Sequence, residues 1–294
     1  MKNRKLFGTL CGIAAAICYG TNPLGALKLY GEGMTTPSVL FYRFGLAWVI
    51  IALVMLIRRE QVKVTWREFG VLTLLGLLFS VSSLTLYLSF HHMAAGVAST
   101  ILFTYPVMTA VIMALFFREK VSVPTVASIL LSMVGVAFLC WDGNGGALSV
   151  VGVVLVLLSA LSYALYIIVV DRGKLNMSSF KINFYVLFYC ALSMLLFSFF
   201  SGTPIQLPPM PVSWFYVAWL ALVPAIFALV LMVYAAKNVG STTTAILGAL
   251  EPLTAVVIGV AVFSEDFTAR LALGIVLILA AVVLISVASG KVKK

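Results

Sequence analysis

Long apolar blocks alternate with short polar segments along almost the whole chain. Each block is about twenty residues long, which is the length that a helix needs to cross roughly 30 Å of hydrocarbon. Such continuous runs predict membrane helices, because a β-barrel would need short strands of alternating polarity. The pattern predicts ten membrane-spanning helices, at residues 6–28, 36–57, 69–90, 94–117, 122–141, 149–170, 180–200, 213–235, 240–263 and 267–289.

The composition agrees with a protein that lies in a lipid bilayer. Of the 294 residues, 63% are hydrophobic and only 10% are charged, which is more apolar surface than a soluble domain of this size buries. The sequence therefore predicts an all-α integral membrane protein. Its four cysteines have no CxxC and no zinc-like spacing, so neither a metal nor a cofactor is expected.

Lysine and arginine residues distinguish the two sides of the membrane. If the N-terminus lies inside, sixteen of the nineteen fall in cytoplasmic segments, Lys28 and Arg270 fall outside, and Arg43 lies within a span. This bias satisfies the positive-inside rule and predicts cytoplasmic termini, an even number of spans and a place in the cytoplasmic (inner) membrane. The net charge of +10 is spread over short clusters rather than one basic face, so no nucleic-acid partner is expected.

The two halves of the chain correspond to each other. The fourth and ninth spans match at an offset of 146 residues, and the first and sixth spans match at an offset of 144. We therefore expect two five-helix domains, at residues 6–141 and 149–289. The matched residues are Pro106 with Pro252, Phe117 with Phe263, Glu119 with Glu265, Gly8 with Gly152, Ala16 with Ala160 and Tyr19 with Tyr163.

Five is an odd number of spans, so the second domain must enter the membrane from the side opposite to the first. The connecting segments agree, because residues 118–120 are basic overall and predicted inside, whereas residues 264–266 are acidic and predicted outside. Inverted repeats of this kind are common in secondary transporters, whose substrate site lies near the bilayer midplane between the repeats.

At these residues the sequence resembles the drug/metabolite transporter superfamily, in particular its EamA-type members with two tandem copies. The features that carry the resemblance are the proline-centred fourth and ninth spans that close on Glu119 and Glu265, the Leu-Glu-Pro run at 250–252 and the fifth span around Gly135. The resemblance implies two inverted five-helix units around a central cavity. It also implies metabolite transport, often export of amino acids or related compounds. One departure is Arg270, which stands where the first copy has Pro124.

Two charged residues stand out within the predicted spans, Arg43 and Glu251. A charge at bilayer depth costs roughly 2.5–3.5 kcal/mol on insertion scales, so it usually faces a cavity or a partner. We interpret Arg43 as the group that attracts a substrate carboxylate, and Glu251 as the acceptor of a substrate amine or a coupling proton. The alternatives are a structural pair between two helices, a carboxylate that anchors the break at Pro252, and an arginine that reaches the outer interface.

Further candidates are uncharged. Asn22 and Pro23 interrupt the first span, and a proline frees a backbone carbonyl that can face water or substrate. Helix packing is the alternative role for the break and for each of the tyrosines. Tyrosines within spans offer hydroxyls to a cavity, and they are Tyr19, Tyr42, Tyr105, Tyr163 and Tyr166.

The sequence thus predicts a secondary transporter that exports small metabolites, preferably amino acids or related compounds, by alternating access, with proton coupling left open. A multidrug or nucleotide-sugar-type carrier and a membrane channel are the alternatives. No enzyme is expected, because the acids form no paired motif and the two histidines, His91 and His92, are neighbours in a predicted turn. Glu119 and Glu265 are expected to cap the helix that follows each of them.

Overall fold

The computed structural model describes residues 2–117, 123–140, 149–173, 175, 177–239, 244, 247–248 and 250–292. Within these residues the chain is helical and has no β-strand. A π-helical turn spans Val223–Phe227. The helices are α1 (Lys2–Gly20), α2 (Asn22–Gly31), α3 (Thr36–Ile57), α4 (Trp66–Ser89), α5 (Ala95–Leu102), α6 (Tyr105–Phe117), α7 (Val123–Cys140), α8 (Val150–Arg172), α9 (Ser179–Ser201), α10 (Pro211–Leu222), α11 (Ala228–Val239), α12 (Leu250–Phe263) and α13 (Ala269–Val292).

Seven helical stretches of the described chain are long and apolar enough to cross a membrane. Three of them join two helices across a break, namely α1 with α2, α5 with α6, and α10 with α11. Three shorter apolar stretches, Val126–Phe138, Leu250–Phe263 and Ala269–Leu284, lie in α7, α12 and α13. The all-helical class is confirmed, with a helix in each apolar block that the sequence marks.

Local sequence signals explain where several helices begin. Proline stands in the first turn of α2, α3 and α10. N–H groups in the first turn have no partner within the helix, so the missing N–H of proline costs no hydrogen bond there. At the start of α4, Thr65 Oγ1 accepts a hydrogen bond from the Glu68 N–H at 3.3 Å, and Glu68 Oε2 accepts one from the Thr65 N–H at 2.8 Å. These two bonds form a capping box, which satisfies two N–H groups that the helix itself cannot.

Prolines accompany the three interrupted stretches. The first stretch is broken at Thr21, directly before the Asn-Pro pair that predicts the break. The break between α5 and α6 precedes Pro106, and Pro224 lies in the π-helical turn. Proline has no N–H, and its ring crowds the carbonyl four residues earlier, so a straight α-helix is interrupted at each of these places.

Helices from the two halves of the chain pack against each other. Helix α1 lies along α11, and α4 lies along α8. Helix α3 lies along α9, α5 contacts α12, and α7 lies along α13. The core therefore runs between the halves, rather than forming separately inside each half.

Helices α3 and α9 run in opposite directions and are held together at both ends. Beyond the end of α3, Glu60 Oε2 accepts a hydrogen bond from the Ser178 hydroxyl, which caps the start of α9, at 2.6 Å. Beyond the end of α9, Gln206 Oε1 accepts one from the Thr35 N–H at 3.0 Å, and the Gln206 N–H donates to Ser38 Oγ at 2.9 Å. Each loop thus binds the start of the partner helix.

Candidate functional site

The polar centre of the bundle begins at the break in the first helical stretch. Pro23 has no N–H, so the carbonyl oxygen of Tyr19, four residues earlier, loses its helical partner. Asn22 Nδ2 donates a hydrogen bond to that oxygen at 2.9 Å and replaces the missing bond. The Thr21 hydroxyl donates to the Cys18 carbonyl oxygen at 2.7 Å. Side chains at the break therefore satisfy the backbone that the break exposes.

Arg43 of α3 lies beside this break and is buried, with 6% of its surface exposed. Its Nη1 donates a hydrogen bond to the Tyr87 hydroxyl oxygen at 2.6 Å. The Tyr87 hydroxyl in turn donates to Asn22 Oδ1 at 3.3 Å. The guanidinium carbon also lies 5.4 Å from the centre of the Tyr87 ring, within the range of a cation–π interaction. Tyr87 and Asn22 therefore connect the buried guanidinium group of Arg43 to the break.

The positive charge of Arg43 has no anionic partner at hydrogen-bonding distance in the described part of the chain. Its Nε is buried without a hydrogen-bond partner, and Tyr87 is a neutral acceptor. The ion pair that these residues do contain joins Arg58 to Glu60 at 3.9 Å, beyond the end of α3. Because guanidinium groups bind carboxylates through paired hydrogen bonds, Arg43 is suited to bind an anionic group of a ligand.

Three of the five predicted tyrosines form one aromatic cluster. Tyr105 of α6 meets Tyr163 of α8 edge to face, with 4.7 Å between ring centroids, and Tyr163 stacks on Tyr166 at 5.8 Å. Phe79 of α4 extends the cluster toward α3, because its ring centroid lies 5.3 Å from that of Tyr166 and 6.0 Å from that of Phe44. The cluster thus reaches from α6 to the neighbour of Arg43.

Glu251 stands in the first turn of α12 and is half-buried. Gly20 allows the end of α1 to lie close to the start of α12, since a Cβ at this position would lie 2.6 Å from the Glu251 carbonyl oxygen. Glu251 lies within electrostatic range of Arg43, Tyr19 and Tyr105. Its carboxylate makes no hydrogen bond or ion pair with another described residue. Arg43 and Glu251, the charged pair that the sequence suggests, therefore lie in the same region but do not contact each other directly.

Tyr42 belongs to a different face of α3. Its ring meets that of Trp214 in α10, with 5.6 Å between centroids. Successive side chains on a helix point in directions about 100° apart, so Tyr42 and Arg43 face different neighbours. The structure does not bring Tyr42 to the tyrosine cluster.

Tyr87 is the residue of this centre that the sequence reasoning missed. It is fully buried, and its hydroxyl bonds both Arg43 and Asn22. The hydroxyl of Tyr30 also donates to the Tyr87 carbonyl oxygen at 3.1 Å. The signal was present in the sequence, because Tyr87 lies within the predicted third span, as the five chosen tyrosines lie within theirs.

His91 and His92 lie in the turn between α4 and α5. The ring of His91 stacks on that of Tyr30 at 4.3 Å, and His91 Nε2 lies 3.1 Å from Thr36 Oγ1. Partial burial, together with the neighbouring His92, lowers the pKa of His91. No group of three His, Cys, Asp or Glu side chains that could hold a metal occurs in the described ranges.

Glu265, in the loop between α12 and α13, caps a helix of the other half. Its Oε1 accepts a hydrogen bond from the Ala95 N–H at 2.7 Å, and its Oε2 accepts one from the Gly96 N–H at 3.2 Å, both at the start of α5. The expectation that Glu265 caps the following helix is therefore wrong, because the carboxylate reaches across to α5. The matching residue of the first half, Glu119, lies outside the described residues.

Comparison with known proteins identifies relatives of the whole chain. An "Uncharacterized transporter" of Clostridium kluyveri is 22% identical over 276 residues, which are 91% of this chain and 89% of that protein. The "Uncharacterized transporter YcbK" of Bacillus subtilis is 23% identical over 88% of this chain and 86% of that protein. A further B. subtilis protein, "Uncharacterized transporter YvbV", is 34% identical over 151 residues, about half of each chain.

The fold also occurs among solved structures. One crystal structure superposes with a TM-score of 0.68 at 17% sequence identity, over 98% of this chain and 99% of that chain. The model of the EamA-like transporter family matches residues 6–141 and again residues 150–287. Two tandem matches cover nearly the whole chain, and the resemblance that the sequence motifs carry is confirmed. The chain belongs to the EamA-like transporter family.

Proposed function

We propose that the protein is a secondary transporter that exports small metabolites, of the class of amino acids or related compounds, across the bacterial cytoplasmic membrane by alternating access. In this proposal the chain has ten spans, arranged as two inverted five-helix domains at residues 6–141 and 149–289. Both termini lie in the cytoplasm. The observation that carries the proposal is that the buried side chain of Arg43 has no carboxylate partner among the described residues.

The contacts between helices support the inverted arrangement. Two copies related by a two-fold axis require that a contact between the first and eighth spans recur between the sixth and third, and α1 lies along α11 as α8 lies along α4. The equivalent helices α3 and α9 are antiparallel, which favours an axis in the membrane plane and therefore inverted copies. Single residues repeat the relation. A Cβ on Gly8 would meet Asn238, and a Cβ on Gly152 would meet His92. Gly152 follows Gly8 by 144 residues and Asn238 follows His92 by 146, the same two offsets that relate the halves in sequence.

The chemistry around Arg43 supports a small carboxylate-bearing substrate. The guanidinium offers hydrogen-bond donors that lack an anionic partner, and the tyrosine cluster offers aromatic faces to the rest of a ligand. Glu251, within electrostatic range of Arg43, suits a substrate amine or a coupling proton. An amino acid carries a carboxylate and an amine, and so it would use both charges.

The alternatives fit this centre less well. Uncharged lipophilic drugs offer no anionic group to a buried arginine, and burying an unpaired charge costs free energy. A nucleotide sugar carries two phosphates, but among the side chains that the structure describes Arg43 is the buried cationic one. A carrier for one carboxylate therefore agrees best with the charges present.

Replacing Arg43 tests the substrate class. In proteoliposomes, Arg43→Ala should reduce transport of carboxylate substrates about 10-fold to 100-fold, because a hydrogen bond to a charged group contributes about 1.5–3 kcal/mol. Transport of the matching amides or esters should change little, and Arg43→Lys should retain part of the carboxylate transport. Arg270→Ala, at an exposed position, is the matched control. Equal losses for carboxylates and their esters would contradict the assignment.

Replacing Glu251 tests the coupling role. Glu251→Gln should abolish uptake driven by a proton gradient in inverted vesicles, because an amide cannot carry the proton, while substrate exchange at equilibrium should continue. Both measurements use the same reconstituted protein, so loss of exchange as well as driven uptake would indicate a structural role. Driven uptake that keeps its wild-type pH dependence would exclude Glu251 as the coupling residue.

A further inference from the structure

The pair of helices α3 and α9 carries two open hollows on its outer surface. One, of about 500 Å³, lies at the end of α3 and is lined mainly by apolar side chains, including those of Trp48, Leu53, Leu56 and Phe184. The other, of about 610 Å³, lies at the end of α9 and is lined by residues that include Leu195, Phe199, Gly202 and Ile205. Neither contains a residue of the centre around Arg43.

The two hollows are counterparts in the repeated chain. Leu53 and Leu56 of the first hollow correspond to Leu196 and Phe199 of the second at an offset of 143 residues, which is the offset between Thr36 and Ser179 at the starts of α3 and α9. Because α3 and α9 are antiparallel, the hollows lie at opposite ends of the pair. In a membrane they would therefore face opposite leaflets. Each hollow is formed by the end of one helix and the loop that follows it.

The two hollows differ in the charge of the loops beside them. The loop at the first hollow contains Arg58, Arg59 and Lys63, and Lys181 joins this group by donating a hydrogen bond to the Lys63 carbonyl oxygen at 2.6 Å. Its one acid, Glu60, lines the hollow and is already bound by Arg58 and by the Ser178 hydroxyl. The loop at the second hollow, residues 203–211, contains no charged residue.

Filling an apolar hollow with an acyl chain cannot by itself select a lipid, because lipid tails are as apolar as the side chains that line the hollow. Selection must come from the headgroup, and basic clusters at the membrane edge attract anionic lipids. Helix α3 rises about 12 Å between Trp48 and Leu56, at 1.5 Å per residue, so the hollow extends from the hydrocarbon to the basic loop.

We propose that the hollow at the end of α3 is a binding site for one anionic phospholipid. One acyl chain lies along α3 between Trp48 and Leu56, against Phe184, and the phosphate lies at Arg58 and Lys63. The hollow at the end of α9 accepts acyl chains without regard to the headgroup. The chain thus carries one lipid-selective site and one non-selective counterpart.

Competition between two lipids tests the site. The purified full-length protein is equilibrated with equimolar phosphatidylglycerol and phosphatidylcholine, and the retained lipids are counted by native mass spectrometry. The double variant Arg58→Gln/Lys63→Gln should lower the preference for phosphatidylglycerol about 25-fold, at about fivefold for each charge near the surface. The control Arg270→Gln should keep the wild-type preference. An unchanged preference in the double variant overturns the proposal.

Trp48 provides a local readout. In a variant that retains Trp48 as its only tryptophan, brominated phosphatidylglycerol should quench the fluorescence more strongly than brominated phosphatidylcholine. The difference should vanish when Arg58 and Lys63 are neutralised. Equal quenching by the two lipids with both basic residues present contradicts the site.

The counterpart hollow allows a gain of function that does not depend on the folding of the double variant. Ile205 directly precedes Gln206 as Arg59 directly precedes Glu60, and both Glu60 and Gln206 bind the start of the partner helix, so Ile205 is the counterpart of Arg59. Ile205→Arg should add a second retained phosphatidylglycerol, because it supplies the charge that the second hollow lacks. No additional lipid in this variant would count against charge as the source of selection.

Discussion

The first helical stretch and its counterpart in the second half, α8, differ in whether the helix is continuous. Their sequences match at Gly8, Ala16 and Tyr19 with a constant offset of 144 residues, but where the first has Asn22 and Pro23, α8 has Tyr166 and Ile167. The first stretch is broken there, and α8 runs unbroken from Val150 to Arg172.

Because of this difference, the two helices contribute different groups to the polar centre. The broken helix supplies Asn22, which satisfies the carbonyl oxygen of Tyr19 and accepts a hydrogen bond from Tyr87. The unbroken helix keeps its backbone bonds internal and supplies two stacked tyrosine rings, Tyr163 and Tyr166. The duplicated helices thus contribute a polar helix break on one side of the centre and aromatic rings on the other.

The largest expected effect comes from forcing α8 to imitate the first stretch. Ile167→Pro removes the hydrogen bond to the Tyr163 carbonyl, and Tyr166 has no amide to replace it, so the variant should lose about 3 kcal/mol of stability or more. Thermal unfolding in detergent measures the loss. Adding Tyr166→Asn should recover part of it, as Asn22 does beside Pro23. No recovery in the double variant would mean that Asn22 does not stabilise the natural break.

A smaller effect is expected from removing one hydroxyl on each side. Tyr87→Phe leaves Nη1 of Arg43 and Oδ1 of Asn22 without their partner, which should cost about 1–3 kcal/mol of stability. Tyr166→Phe should cost less than about 0.5 kcal/mol, because the Tyr166 hydroxyl makes no hydrogen bond with a described residue. The same unfolding measurement compares them. Transport should give a second readout, with a raised KM for carboxylate substrates in Tyr87→Phe alone.

The smallest effect concerns the far end of the broken stretch, where His91 stacks on Tyr30 of α2. Burial, and secondly the charge of His92, lower the pKa of His91 below its usual value of about 6.5, so the folded protein favours the neutral ring. Stability should be complete above pH 6.5 and fall slightly as the pH decreases through the lowered pKa. The slope should disappear in His91→Gln, and unfolding midpoints between pH 5 and 8 should reveal it. An unchanged slope would contradict this assignment.

Much of the fold could be predicted because it depends on local pattern. Apolar blocks of membrane length form helices wherever the chain is described, and the Asn-Pro pair breaks the first stretch at the predicted place. The relations between helices were less accessible. Which side chains meet depends on the rotation of each helix about its axis, and small errors in that rotation exchange one neighbour for another.

Particular residues illustrate this limit in the candidate site. Tyr42 and Tyr87 are both tyrosines within predicted spans, yet Tyr42 meets Trp214 and Tyr87 meets Arg43. The reach of Glu265 to α5 was also hidden, because its two partners lie about 170 residues earlier in the chain. Arg43 is a candidate from the sequence because of its charge within a span, but nothing in the sequence indicates that its side chain donates a hydrogen bond to the neutral hydroxyl of Tyr87.

The contact of Glu265 with α5 has a thermodynamic consequence. Parting the α12–α13 loop from α5 would expose two amide N–H groups and one carboxylate, and each would have to be hydrated. Separation of these segments therefore takes up water molecules, and its equilibrium depends on the activity of water. Osmotic stress from an excluded solute should accordingly favour the closed contact, and the dependence should be weaker in Glu265→Ala.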